Sequence, residues 1–277
     1  MIKIANLFFA YPTNTEAKTR VLNGIDLTIR EGESIGLIGA NGSGKTTLAR
    51  CLNGLLVPTA GDVWVDGLNT KESSNLAEIR RRVGMVFQNP ENQIVSTTVE
   101  REIAFGLENL GVPYDEMHRI VDEMLLQLDL EEYRQHPPHL LSGGEMQRLA
   151  LASVMAMSPK YLIFDEPTSL LDPASRKMLL SLISELHLEN RKNEPSEVIT
   201  PLFITQYPEE VLGLDRLLVL HQGRIVFDDK PQEIFEKVDE LHGLGLEVPI
   251  EFEVTHYLRK LSDGKISLNT SEFLPIP

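Results

Sequence analysis

The sequence predicts an α/β fold, a mostly parallel sheet flanked by helices, and three stretches carry that prediction. Gly39-Ala40-Asn41-Gly42-Ser43-Gly44-Lys45-Thr46 fits G-x-x-x-x-G-K-[ST] without exception, between an apolar run at Ser34 to Ile38 and a helical run at Thr46 to Leu56. This is the strand–loop–helix order of a P-loop. Tyr161 to Phe164 is a second short apolar run, ending in Asp165-Glu166-Pro167. It reads as a central parallel strand that delivers acids to its carboxyl end, where open α/β sheets bind ligands. Met117, Ile120, Val121, Met124, Leu125 and Leu128 form one apolar face at helical spacing.

Taken in order, Met1-Ile2-Lys3-Ile4 alternates like a strand and lacks the apolar core of a signal peptide. In the P-loop, Gly39, Gly42 and Gly44 let the backbone wrap phosphate groups, with Asn41 and Ser43 between them. Lys45 reaches the β and γ oxygens, the Thr46 hydroxyl ligates Mg²⁺, and Thr47 follows in the same nucleotide-binding run. Arg80-Arg81-Arg82 is the one tight basic cluster and suits the negative end of a helix. Leu141-Ser142-Gly143-Gly144-Glu145 has two readings. Ser142 and Glu145 stand in capping-box spacing before the apolar helical run Met146 to Met157. The two glycines cost stability in a first helical turn, and bare N–H groups at such a turn are what a phosphate needs.

Asp165 and Glu166 also divide. They are either a plain turn before Pro167, or a carboxylate that holds Mg²⁺ and one that polarises an attacking water. Beside a P-loop the second reading has a chemical reason, since phosphoryl transfer needs a metal and an oriented water. Asp172 before Pro173 reads as a helix N-cap with Pro at the first helical position. Glu189 to Glu197 is polar, contains Pro195 and lacks periodicity, which predicts a surface loop or a partly disordered stretch. Ile250, Val254, Tyr257, Leu258 and Leu261 recur at helical spacing after Pro249.

The chain has 277 residues, 42% hydrophobic and 24% charged, as in soluble globular proteins. Its formal net charge of −15 argues against nucleic-acid partners and against a broad anionic-lipid surface. No apolar run approaches the ~18 residues of a membrane span. The single Cys51 excludes an internal disulfide, and its place on an apolar helix predicts a buried thiol. These features together predict a cytosolic chain.

The P-loop, Leu-Ser-Gly-Gly-Glu at 141–145 and Phe-Asp-Glu-Pro at 164–167, in this order, resemble the ATPase subunits of ATP-binding-cassette (ABC) transporters. The resemblance implies a P-loop NTPase (RecA-like) core with an antiparallel β subdomain. It also implies a helical subdomain inserted at about 90–158, within an ATPase domain of 1–235, and a C-terminal extension of 236–277. ATP and Mg²⁺ are the implied cofactors. Two ATPase subunits would face head to tail, each Leu141–Glu145 loop binding the γ-phosphate on the other subunit's P-loop, with Asp172 reaching across. Tyr11 matches the aromatic that stacks on adenine, and Gln88 the glutamine that touches Mg²⁺ and the water; read alone, these are a strand-end tyrosine and a turn glutamine. At the switch, where the family usually has Thr-His, the sequence reads Thr205-Gln206. Gln206 can hydrogen-bond a phosphate oxygen but cannot titrate or carry positive charge. The resemblance thus implies intact ATP binding and slow hydrolysis at this chain's own site, and favours a heterodimer.

Within the family, Asn89-Pro90-Glu91-Asn92-Gln93, Ala10-Tyr11-Pro12 and the stretch from Pro231 to Leu261 resemble the ATPases of energy-coupling factor (ECF) importers for vitamins and transition-metal ions. That likeness implies a transmembrane coupling subunit, a separate substrate-binding membrane subunit, and a peripheral position on the cytoplasmic face of the cell membrane. Asn89 to Gln93 and Arg80 to Arg82 are the candidate contacts to the membrane partner. The 250–261 stripe, read alone, packs on its own domain, whereas the likeness implies contact with the second ATPase. The alternative readings are a nucleotide-binding regulatory module with weak hydrolysis and an importer ATPase of another ABC class. A soluble ABC protein of translation or repair fits less, because there is one P-loop and no heptad arm.

Overall fold

The strands that the two apolar runs predict lie in one parallel sheet, with a third strand between them, in a computed structural model, which describes residues 1–12, 19–192 and 198–261. The chain forms β1 (Ile2–Tyr11) and β2 (Thr19–Ile29), then β3 (Ile35–Ile38) and α1 (Lys45–Leu52), then β4 (Ala60–Val65) and β5 (Leu68–Asn69). After α2 (Leu76–Arg82) and β6 (Val83–Val86) come three helices, α3 (Val99–Asn109), α4 (Tyr114–Gln127) and α5 (Gly143–Met155). The core resumes with β7 (Tyr161–Asp165), α6 (Pro173–Lys192), β8 (Thr200–Ile204), β9 (Arg216–His221) and β10 (Arg224–Asp229). Three helices close the described chain, α7 (Pro231–Phe235), α8 (Val238–Gly243) and α9 (Ile250–Leu261).

One sheet has the order β2-β1-β4-β5 and is antiparallel; the other runs β10-β9-β3-β8-β7-β6, with β10 alone antiparallel to its neighbour. The interiors of the parallel strands are apolar, with polar residues only at strand ends such as Asp165, Thr200, Arg216 and His221, because both faces are covered. On β7, Tyr161 and Ile163 join α1 and the antiparallel sheet in one core, while Leu162 and Phe164 join the helices in the other. On β9, Leu218 and Leu220 face the first core and Leu217 and Val219 the second. Phe164 pairs in register with Phe203, their ring centroids 5.4 Å apart. Each such fully buried side chain stabilises the fold by roughly 1.5–3 kcal/mol.

Register decides where the chemistry collects. Leu37 lies beside Ile204, and Ile204 beside Asp165, so the P-loop, the residues after β8 and the acids after β7 leave the sheet at one edge. Helices α3, α4 and α5 pack on one another, with Val99, Ile103, Met117, Val121, Leu125 and Leu149 buried between them.

Two sequence expectations are corrected. The helix after the P-loop stops at Leu52 rather than Leu56, because Asn53 caps it and Gly54 turns left-handed at φ +71°. The loop expected at Glu189 to Glu197 begins later: α6 continues to Lys192, since Glu189 to Lys192 contain neither Gly nor Pro to stop a helix already propagating. Residues 193–197 lie outside the described residues. In the C-terminal segment, Phe252 and Thr255 are buried, whereas Ile250, Val254, Tyr257 and Leu261 are all exposed. Four of the five residues of the sequence stripe therefore face away from the chain's own core, and Leu258 is half-buried. No helix among the described residues is long and apolar enough to cross a membrane.

Candidate functional site

The P-loop follows β3 and wraps the start of α1. A Cβ at Gly39 would stand 2.3 Å from the Leu220 carbonyl oxygen, so the backbone there runs too close to β9 for any side chain. Gly42 (φ +77°) and Gly44 (φ +110°) adopt conformations that L residues rarely reach. Gly44 is the N-cap of α1 and has no side chain to cap with, which leaves the first N–H groups of the helix for a ligand.

Lys45 is 5% exposed and its Nζ donates to the Gly39 carbonyl at 2.8 Å. The same Nζ lies 3.5 Å from Glu166 Oε1. Thr46 donates its hydroxyl to Asp165 Oδ1 at 2.9 Å. Asp165 is buried, which raises its pKa; the Thr46 bond opposes the rise and the neighbouring Glu166 charge adds to it. Glu166 itself sits at φ +51°, its N–H donating to the Ile204 carbonyl at 2.9 Å. That left-handed turn aims the carboxylate across the strand ends, where Gln88 Nε2 donates to Glu166 Oε2 at 3.2 Å. Tyr11, 37% exposed at the end of β1, meets Phe9 edge-on at 4.9 Å, and its hydroxyl lies 3.3 Å from Thr47 Oγ1.

Gln206 is exposed and, with Tyr207 and Pro208, lines a cleft of about 360 Å³ whose other wall is Ile38 to Asn41. The third side of that cleft is Gly245-Leu246-Glu247. Sequence reasoning did not connect these three residues with the nucleotide site. They lie some two hundred positions from the P-loop and carry no motif, so only the packing of α8 and the turn after it brings them there.

The structure gathers Lys45, Thr46, Gln88, Asp165 and Glu166 into one cluster by direct contacts, with Tyr11 and Thr47 at its side. The Leu141–Glu145 loop is elsewhere. Ser142 N–H donates to Glu145 Oε2 at 2.7 Å and Glu145 N–H to Ser142 Oγ at 3.4 Å, a complete capping box on α5. The loop packs on the start of α6, where a Cβ at Gly144 would meet Ser175 Oγ at 2.9 Å; at Gly143 the nearest atom is 3.9 Å away. Packing thus explains Gly144 in part and Gly143 not at all. Asp172 accepts from the N–H groups of Ala174 (2.9 Å) and Ser175 (3.1 Å), capping α6. Among the described residues, the loop shares no hydrogen bond with this chain's own P-loop.

The donors present fit Mg²⁺ and nucleotide phosphate. A hydroxyl and a carboxylate stand 2.9 Å apart. The described residues hold no cluster of three or more His, Cys, Asp or Glu side chains that could cage a metal. The Thr46 hydroxyl and the Asp165 carboxylate are oxygen donors of the kind a hard cation takes, with phosphates and water as its other ligands. Ser43 Oγ is buried in the loop with no hydrogen-bond partner, a donor left for a phosphate oxygen.

A glycine-rich loop after β3, an acid pair at the end of β7 with β8 between the two strands, and three packed helices between β6 and β7 define an ATP-binding-cassette ATPase. The chain belongs to the ABC transporter family, whose model matches residues 22–169. It is 44% identical to the energy-coupling factor transporter ATP-binding protein EcfA1 of Caldanaerobacter subterraneus, over 94% of this chain and 91% of that one. It is 46% identical to the cobalt import ATP-binding protein CbiO of Syntrophus aciditrophicus, over 98% and 91%. Among solved structures, cbiO1 of Clostridium perfringens, described as part of the transporter complex cbiONQ, aligns with a TM-score of 0.74 at 32% identity, over 91% and 97% of the two chains.

Proposed function

We propose that this chain is the ATP-hydrolysing subunit that energises an ECF-type importer of a small solute, a vitamin or a transition-metal ion. The observation that carries the reading is the single carboxylate of Glu166, held between Lys45 and Gln88 beside the Thr46–Asp165 pair. In this reading the glycines and Ser43 bind the phosphates, Lys45 pairs with the β and γ oxygens, and Tyr11 stacks on adenine. Thr46, Asp165 and Gln88 would hold Mg²⁺, which when bound neutralises the developing phosphate charge. Glu166 accepts the proton of the attacking water, and the Gln206 amide donates to a γ-phosphate oxygen.

The partner is a second ABC ATPase. The Leu141–Glu145 loop and Asp172 act on its nucleotide, and the exposed stripe of Ile250, Val254, Tyr257 and Leu261 packs against it. A heterodimer is favoured, because an asymmetric pair tolerates the weaker switch of Gln206. Membrane subunits bind through Asn89 to Gln93 and Arg80 to Arg82, which holds the chain at the cytoplasmic face. Arg81 has a 60% exposed side chain. Arg81→Glu should abolish co-purification with the membrane subunit, and unchanged recovery would count against that contact.

The second reading, a nucleotide-binding regulatory module, draws its support from Gln206. Phosphate release by the purified chain, alone and with the second ATPase, separates the two. The importer reading expects release that rises on pairing and collapses in Glu166→Gln. Release that stays at background in the pair would favour the regulatory module.

A further inference from the structure

Behind the switch lies a buried carboxylate that the reaction scheme above does not use. Glu210 sits on the 3-10 turn Pro208–Val211, which follows the switch residues directly, and its side chain is 1% exposed. Three donors from three segments converge on it. Thr168 Oγ1 donates to Oε1 at 2.7 Å, Arg176 Nε donates to the same oxygen at 2.6 Å, and Thr205 Oγ1 donates to Oε2. Thr168 and Thr205 are each 1% exposed, so water does not compete for the two threonine bonds. The Arg176 guanidinium also lies 3.5 Å over the Tyr207 ring.

The position of these donors gives the cluster meaning. Thr205 and Tyr207 flank Gln206, and the Tyr207 N–H donates back to Thr205 Oγ1 at 3.0 Å, which closes the turn that presents Gln206 to the cleft. Thr168 stands two residues after Glu166, and Arg176 four residues after Asp172, in the first turns of α6. Val211 fixes the far end of the Glu210 turn against Gly36, where a Cβ would come within 2.8 Å of its methyl group. A carboxylate this deeply buried is unfavourable unless it is paired and fully hydrogen-bonded, so these groups hold one arrangement together.

We propose that Glu210 is a positioning residue for hydrolysis. Through Thr205 it sets the Gln206 amide at the γ-phosphate, and through Thr168 and Arg176 it ties that setting to the Asp172 loop. Displacement of the Asp172 loop by a partner subunit is thereby transmitted to Gln206. The inference rests on the reading of Gln206 as the phosphate-contacting switch.

The test is a double-mutant cycle on the full chain in its assembled ATPase pair, with single-turnover phosphate release and ATP affinity as readouts. Glu210→Gln should lower the rate by about tenfold or more at nearly unchanged ATP affinity, as loss of a transition-state interaction does. Thr205→Val, which cuts the same link from its other end, should do the same even if Glu210→Gln folds poorly. Combined with Gln206→Ala, neither change should lower the rate further than Gln206→Ala alone. Losses that multiply, or that fall on ATP affinity instead of rate, would overturn the positioning role. A rate unchanged by Gln206→Ala itself would instead remove the switch reading, and the route through it.

Discussion

Alanine substitutions at Gly39 and Gly42 separate two reasons for glycine in one loop. At Gly39 the backbone conformation is ordinary, but a Cβ would stand 2.3 Å from the Leu220 carbonyl oxygen and 2.7 Å from Ser43 Oγ. A carbon–oxygen contact needs about 3.3 Å, so β9 and the loop would have to part by about 1 Å. The Ser43 hydroxyl can rotate aside, but the Leu220 carbonyl is backbone in β9 and cannot. Overpacking of this kind costs about 3 kcal/mol, at the upper end of its usual range. At Gly42 a Cβ meets nothing within 4 Å, and the penalty is the left-handed conformation alone (φ +77°). That costs about 1 kcal/mol. At roughly 2–4 °C per kcal/mol for a chain of this size, Gly39→Ala should lower the melting temperature by about 6–12 °C and Gly42→Ala by about 2–4 °C. ATP affinity, measured by equilibrium binding to the full chain, should fall more for Gly39→Ala, because its clash displaces the loop that cradles the phosphates. A Gly39→Ala protein as stable and as tight-binding as the parent, or a larger loss at Gly42, would refute the close-approach argument.

Three further outcomes are expected. Glu166→Gln should lower turnover by about 10²–10⁴-fold while equilibrium binding shows ATP still held, because it removes the proton acceptor and leaves the phosphate cradle intact. Burial pushes the Cys51 thiol up to about 12, so at pH 8 it carries no appreciable thiolate. The native protein should therefore resist a disulfide reagent that labels it at once in urea, and rapid native labelling would show that α1 is not closed over. Burial alone would raise the Asp66 pKa, but hydrogen bonds from the Met1 amine and Tyr161, with the Lys160 charge, hold it at about 2. Its folded value lies below the unfolded value of about 3.9, so its contribution is full above that pH and is lost as pH falls toward 2. Asp66→Asn should remove that part of the acid sensitivity in unfolding midpoints taken between pH 4 and pH 2; an unchanged midpoint profile would show that Asp66 contributes none of it.

Most of the site was legible in the sequence because each part is a local motif with a local cause. The run from Gly39 to Thr46 dictates a strand–loop–helix turn whatever surrounds it, and Ser142 with Glu145 dictates a helix start. Tertiary structure decided what no local pattern carries. Strand register set Thr46 against Asp165 across 119 positions, and the turn at Glu166 brought its carboxylate to Lys45 and Gln88. The periodicity of α9 was plain, yet periodicity alone does not say which face is buried; packing put Phe252 inside and left Ile250, Val254, Tyr257 and Leu261 outside. Glu210 and Gly245–Glu247 had no signal at all. Their places follow from contacts between segments far apart in sequence, and a sequence pattern reports the conformational preferences of neighbours, not the meeting of distant side chains.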